Sequence, residues 1–154
     1  ARLPYQHLTA SAATWERPEL RGTLVRVGAF CFGVRSADGP DLPGIAPAAE
    51  LVAPVRRIED DEVVIGAGSF DGLPSTLARR VRVGTPGGAR ELRSGGIDEK
   101  RVEAWQGASV GDEVVVFGRG RCGEESPTTL AEAVGTVGEE ILCRLTPGVR
   151  REYR

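Results

Sequence analysis

Arg26 lies inside a run that offers it no obvious partner. Thr23 to Gly33 reads TLVRVGAFCFG, mixing β-branched and aromatic side chains with two glycines, and it predicts a buried strand ending in a turn that exposes backbone. A cation in such a strand must be ion-paired or must face a cavity, because an unpaired buried charge is expensive. Upstream, residues 5 to 14 (YQHLTASAAT) surround the Ser11 hydroxyl with small side chains and predict a strand leading into a tight loop. Lys100 is the single lysine of the chain. Cys31, Cys122 and Cys143 are odd in number and lack the C-x-x-C or Cys/His spacing of a redox pair or metal site. They are expected to be free thiols, and no metal site is expected.

The elements that must position these groups are short. At 154 residues the chain has the size of one ordinary domain, and 21 Gly and 10 Pro predict many turns. Residues 36 to 47 (SADGPDLPGIAP) read as a linker, with a boundary near residue 40. Beyond it, apolar stretches at 51 to 58, 62 to 67, 81 to 83, 101 to 105 and 113 to 117 are bounded by turn residues and predict a small barrel or sandwich. Ser126 or Thr128 can cap a helix over about 128 to 134 that Gly135 stops, and EEILCRL predicts a final strand.

Charge narrows the function classes. Lys plus Arg is 20 against Asp plus Glu 22, a formal net charge of -2, so no positive field draws nucleic acid. The Arg pairs at 56/57, 79/80 and 150/151 read as solvated surface. No apolar stretch approaches the roughly 20 residues that span a bilayer, and no signal-peptide run stands at the start. A cytoplasmic chain with no membrane and no nucleic-acid partner is therefore expected. The chain opens at Ala1 and contains no Met, which fits a trimmed chain, an excised piece or removal of a starting Met alike.

Three blocks, in order, resemble the alanine racemase family. They are HLTASAA at 7 to 13 with LVRVGAFCFG at 24 to 33; IGAGSFDGLPS at 65 to 75; and VGDEVVVFG at 110 to 118 with EILCRLTPGVRREY at 140 to 153. The resemblance implies a mainly β fold: a racemase-type C-terminal β domain over residues 41–154, preceded at 1–40 by the last two β/α segments of a TIM-type barrel that binds pyridoxal 5'-phosphate (PLP). It implies that Arg26 hydrogen-bonds the pyridine nitrogen, that Ser11 donates to the phosphate, and that the backbone amides of Gly28 and Ala29 approach it. Ile97 and Asp98 stand in the family's Met-Asp-Gln motif and imply a contact with a small amino-acid substrate.

The resemblance also implies what is missing, and no catalytic residue is assigned. The family's cofactor lysine sits on the first barrel strand, which this chain lacks. Its catalytic tyrosine would lie between VAPVRRI and VVIGAG, where only EDD at 59 to 61 intervenes. Ser69 and Ser75 replace the first Tyr and the Arg of G-Y-x-D-G-Y-P-R, and Glu139 replaces a Tyr that reaches the phosphate, which a carboxylate would repel. The implied whole is the C-terminal portion of a PLP-dependent racemase, inactive alone, and its rivals are a non-catalytic dimerisation module or an enzyme acting on another amino acid. Expected partners are a second copy or a missing N-terminal barrel half. Trp105, beside the Ile97–Glu99 motif, is expected either at that contact or in the domain core.

Overall fold

The computed structural model describes residues 3–36, 39–41 and 43–153. Its centre is a closed barrel of six strands: β1 (Leu51–Glu59), β2 (Glu62–Ile65), β3 (Arg82–Thr85), β4 (Gly88–Gly95), β5 (Lys100–Glu103) and β6 (Glu113–Phe117). Their order around the barrel is β1-β2-β5-β4-β3-β6, and every pairing is antiparallel. Closure removes the open edges that short strands otherwise expose. Along β1 the side chains of Leu51, Ala53 and Val55 point inward and alternate with exposed neighbours, as a period of two requires. The strand meets β6 with Leu51 opposite Phe117, and its register shifts at Val55/Arg57, where it turns towards β2.

β1 and β2 are joined by Asp60 and Asp61 alone, with Glu59 paired to Glu62 and Asp60 at φ 46°. Aspartate tolerates this left-handed geometry better than most side chains, and a two-residue hairpin needs it. The tyrosine-bearing segment that the resemblance places here has no room in this turn.

Two helices close one side. α2 (Pro127–Ala133) starts with Ser126, whose Oγ accepts the Thr129 amide at 3.1 Å, and with proline in its first turn; it buries Leu130 and Ala131. Gly135, at φ 72°, ends it. α3 (Gly138–Cys143) packs on α2 and buries Ile141. A Cβ at Gly138 would stand 2.9 Å from Val34 Cβ, so glycine lets the chain after the N-terminal segment pass closely. The segment EEILCRL is thus a helix over most of its length and not the expected strand. Glu139 and Glu140 in its first turn suit a helix start, where acidic side chains meet the positive end of the backbone dipole.

The N-terminal segment also departs from expectation. A short helix, Ser11–Glu16 (here αN), begins where a strand-to-loop junction was expected, and Thr23–Gly33 is not a buried strand. Leu24, Val25 and Val27 are exposed. Two backbone bonds, Leu24 N to Gln6 O and Arg26 N to Thr9 O, both 3.2 Å, and the Gln6 amide on Thr23 Oγ1 at 2.9 Å link this run to residues 6–9. Two extended segments with no sheet on either side lack the ladder that would complete a strand. The run closes in a tight turn, Ala29–Phe32, ending at Gly33 in the left-handed region.

Glu124 stabilises the loop after β6. It is 5% exposed; Oε1 accepts the amides of Gly120 (2.7 Å) and Arg121 (3.1 Å), and Oε2 accepts that of Cys122 (2.8 Å). Burial pushes its pKa up, but the backbone amides outweigh it and hold the carboxyl below its usual value. Its contribution is therefore present above the ordinary carboxylate pKa and is lost as pH falls through the lowered folded value. Gly84 and Gly118 leave the space it fills, since Cβ atoms there would lie 2.7 and 2.8 Å from its oxygens. Glu124→Ala strands three amide donors and is expected to lower stability by about 3 kcal/mol in a urea melt; a change within experimental error would show that water serves the loop equally well.

Candidate functional site

The first group of residues lies in the N-terminal segment. The Gly28 amide donates to Ser11 Oγ at 3.0 Å, although the two are seventeen positions apart, so the start of αN and the 29–32 turn converge. Ser11 is buried, and Ala29 is 3% exposed at the head of that turn. Arg26 is exposed rather than enclosed in an apolar strand, and among the described residues its guanidinium has no hydrogen-bonded or ionic partner. The expected need for pairing disappears because the run is not buried. Cys31, in the same turn, is an exposed free thiol, as are Cys122 and Cys143.

Among the described residues four buried side-chain polar atoms lack a hydrogen-bond partner, and His7 Nε2 and Oε2 of Glu139 in the first turn of α3 are two of them. His7 carries no signal in the sequence beyond its place in HLTASAA.

The second group sits on the barrel. The loop 68–71 and the loop 96–98 are knitted together: the Ser69 amide donates to Gly96 O (3.1 Å), the Phe70 amide to Ile97 O (2.7 Å), and Asp71 Oδ2 accepts from Gly68 N (2.8 Å). A Cβ on Gly68 would fall 2.2 Å from Ile97 O, so this approach requires glycine. The result displays Phe70 and Ile97, 68% and 72% exposed, side by side. Asp98 follows on the same loop, where Arg56 donates to its carbonyl at 3.2 Å and lies 4.0 Å from its carboxylate.

Around this loop runs an ion-pair lattice that includes Arg57, one of the Arg pair at 56/57 expected as plain solvated surface. Arg57 holds Glu99 through two bonds of 2.7 Å and also holds Glu59; Arg101 holds Glu59 and Glu62; Arg93 holds Asp61. The Arg57 hydrogen bond is the first cause that holds the Glu99 carboxyl below its usual range. The signal was legible only as Arg and Glu at alternating positions on β1, β2 and β5, because strand register decides which of them meet. Trp105 is 7% exposed with its ring against Gly87, so it belongs to the core.

The model of the family described as alanine racemase, C-terminal domain, matches residues 59–153, more than half of the chain. The chain belongs to the alanine racemase C-terminal domain family. The alanine racemase of Thermobifida fusca is 29% identical over 169 residues, covering 96% of this chain and 45% of that protein. Among solved structures, the biosynthetic alanine racemase of Pseudomonas aeruginosa matches with a TM-score of 0.86 at 25% identity, over 99% of this chain and 48% of that one. The Streptomyces coelicolor alanine racemase matches with a TM-score of 0.84 at 26% identity, over 96% and 45%. The chain thus spans a little under half the length of the alanine racemases it matches. The mainly β barrel is that of the racemase C-terminal domain, and the family match includes the Phe70/Ile97 loops and both C-terminal helices. Among the described residues no helix is long and apolar enough to cross a membrane, and no cluster of His, Cys, Asp or Glu could hold a metal ion.

Proposed function

We propose that this chain is the C-terminal portion of a PLP-dependent, alanine racemase-like amino-acid racemase, with residues 1–40 a remnant of the PLP-binding barrel and 41–154 the β domain. The observation that carries this is the convergence of Ser11 Oγ and the Gly28 amide beside an Arg26 without a partner. The Gly28 N–H is taken by Ser11 Oγ, which leaves the Ser11 O–H and the Ala29 N–H to suit a phosphate, and a guanidinium suits a ring nitrogen. Glu139, where the resemblance implies a phosphate-reaching Tyr, opposes the cofactor, but Ser11, Arg26 and Ala29 fit it, with Gly28 holding Ser11 in place. PLP, when bound, supplies a sink for the electrons left at a substrate's α carbon. Arg26 would donate to the ring nitrogen of the bound group and keep it unprotonated, which would favour simple proton exchange over other PLP chemistry. Ile97 and Asp98 shape the approach of a small amino acid, reached from a neighbouring subunit.

The test uses the longest natural chain containing this segment. Incubated with PLP and dialysed, it should keep the visible absorbance band of bound cofactor, and Arg26→Ala should weaken retention at least tenfold. Equal retention by the variant defeats the assignment of Arg26. A second reading, a dimerisation module for which PLP is irrelevant, is favoured by the two-residue turn at Asp60–Asp61 and by Glu139. Under that reading no band survives dialysis while self-association persists.

A further inference from the structure

Lys100 is wholly buried. On β5 it shares the inward face with Val102, opposite Ile65 of β2 and Gly95 of β4. Its Nζ donates to Pro74 O at 3.3 Å, and among the described residues it makes no ion pair. The amine fills the space left by glycine: a Cβ on Gly95 would stand 2.6 Å from Nζ and 3.7 Å from Ser75 Cα. Nζ therefore sits between the end of β4 and the 75–77 turn and ties that turn to the barrel.

No neighbouring charge is arranged to keep an ammonium there. On β2, Glu62 is held by Arg101; on β4, Arg93 is held by Asp61, Arg90 bonds Ala89 O, and Glu91 lies towards the far end. In the adjoining loops Asp98 faces Arg56, Glu99 is bound by Arg57, Asp71 accepts from Gly68 N, and Arg80 donates to Ala133 O. An ammonium has three donors, and here it finds one long acceptor in an apolar barrel. Desolvation alone pushes the amine below its usual lysine value.

We propose that Lys100 is a proton-operated latch: as the free amine it holds the 74–77 turn against the β4–β5 end, and on taking up a proton it leaves the barrel and frees the loops at 68–77 and 95–99. Release strains the bonds that knit those loops, from Ser69 N to Gly96 O and from Phe70 N to Ile97 O, and so loosens the Phe70/Ile97 surface. This follows from the barrel alone and holds whether or not the chain serves a racemase. The closed form binds fewer protons than the open one between the folded and ordinary lysine values. Across that window the opening constant should rise about tenfold for each pH unit lowered, and it should level off below the folded value.

The single lysine makes the test direct. In the 154-residue chain, isotope label at lysine Cε gives one resonance whose titration reports Nζ, and amide exchange at Ser69 and Phe70 reports the loops. Expected are titration below the ordinary lysine value and loop opening that steepens as pH falls, relative to Lys100→Met, in which the steepening is absent. Titration at the ordinary value overturns the proposal, because Nζ would then be reached by water. So does low titration with equal loop slopes in both proteins, since the amine would be buried without latching anything. If Lys100→Met does not fold, Gly95→Ala, which crowds Nζ, should by itself raise loop exchange at least tenfold, and no change there counts against the latch.

Discussion

Given PLP and L-alanine, the purified 154-residue chain should form no D-alanine above a protein-free blank. Racemisation needs a base on each face of the α carbon, and loss of one general base typically costs ~100- to 10,000-fold. Two are lost here. The chain's one lysine lies inside the barrel with Nζ on Pro74 O, where no carbonyl substrate can meet it. Its two tyrosines are Tyr5 and Tyr153, one at each end, and β1 passes to β2 through Asp60 and Asp61 alone, so no phenol takes the second face from that turn. Chiral chromatography of the reaction checks this. Sustained conversion that disappears when PLP is dialysed away would show that another residue serves as base, and the exposed thiol of Cys31 would then be the first to substitute.

The barrel was legible where short apolar runs end in turn residues, as LVAPVRRI and EVVVF do at β1 and β6; the inward face of Leu51, Ala53 and Val55 is added by the structure. β4 was missed because Leu92 is its one buried residue; GARELRSG becomes a strand by pairing with β3 and β5, and that tertiary fact leaves no apolar period behind. α3 was misread because a six-residue helix with isoleucine and leucine side by side looks like a strand when no neighbouring element is known.

Lys100 shows how a one-residue boundary hides chemistry. A strand begun at Arg101 leaves the lysine in a loop, whereas the observed strand begins at Lys100 and puts it on the inward face with Val102. The candidate site was read in a different way. Composition and spacing drew attention to Arg26 but placed it in a buried strand, whereas its guanidinium is exposed and without a partner among the described residues. The roles of Ser11, Gly28, Ala29, Ile97 and Asp98 came from the family resemblance, and they stay part of the proposal. The structure adds that Ser11 meets Gly28 and that the Ile97 loop is fastened to the loop carrying Phe70.

Association is the second large effect expected, and it follows from two sets of uncovered apolar side chains. Leu3, Tyr5, Leu8, Trp15, Leu24 and Val27 are all exposed on the N-terminal segment, and Phe70, Ile97 and Val110 are exposed on the barrel domain. Monomeric proteins seldom leave so much apolar surface in water. The chain spans a little under half the length of the relatives it matches; under the proposed function the N-terminal set would pack on a barrel half, while the Phe70/Ile97 loops suit a second copy. A stable contact must bury on the order of 1,200 Å² in total, more than one such pair of side chains supplies, so the flanking loops have to take part. Trp105 is not among them, being in the core. Light scattering should therefore report a dimer whose mass falls on roughly hundredfold dilution, as mass action demands of a reversible contact. Ile97→Asp combined with Phe70→Ser should shift the dissociation constant upward at least tenfold without altering the melting profile of the barrel. A monomer mass at every concentration would mean that these surfaces wait only for the N-terminal half, and co-expression with that half would then have to cover Leu24 and Val27 from solvent.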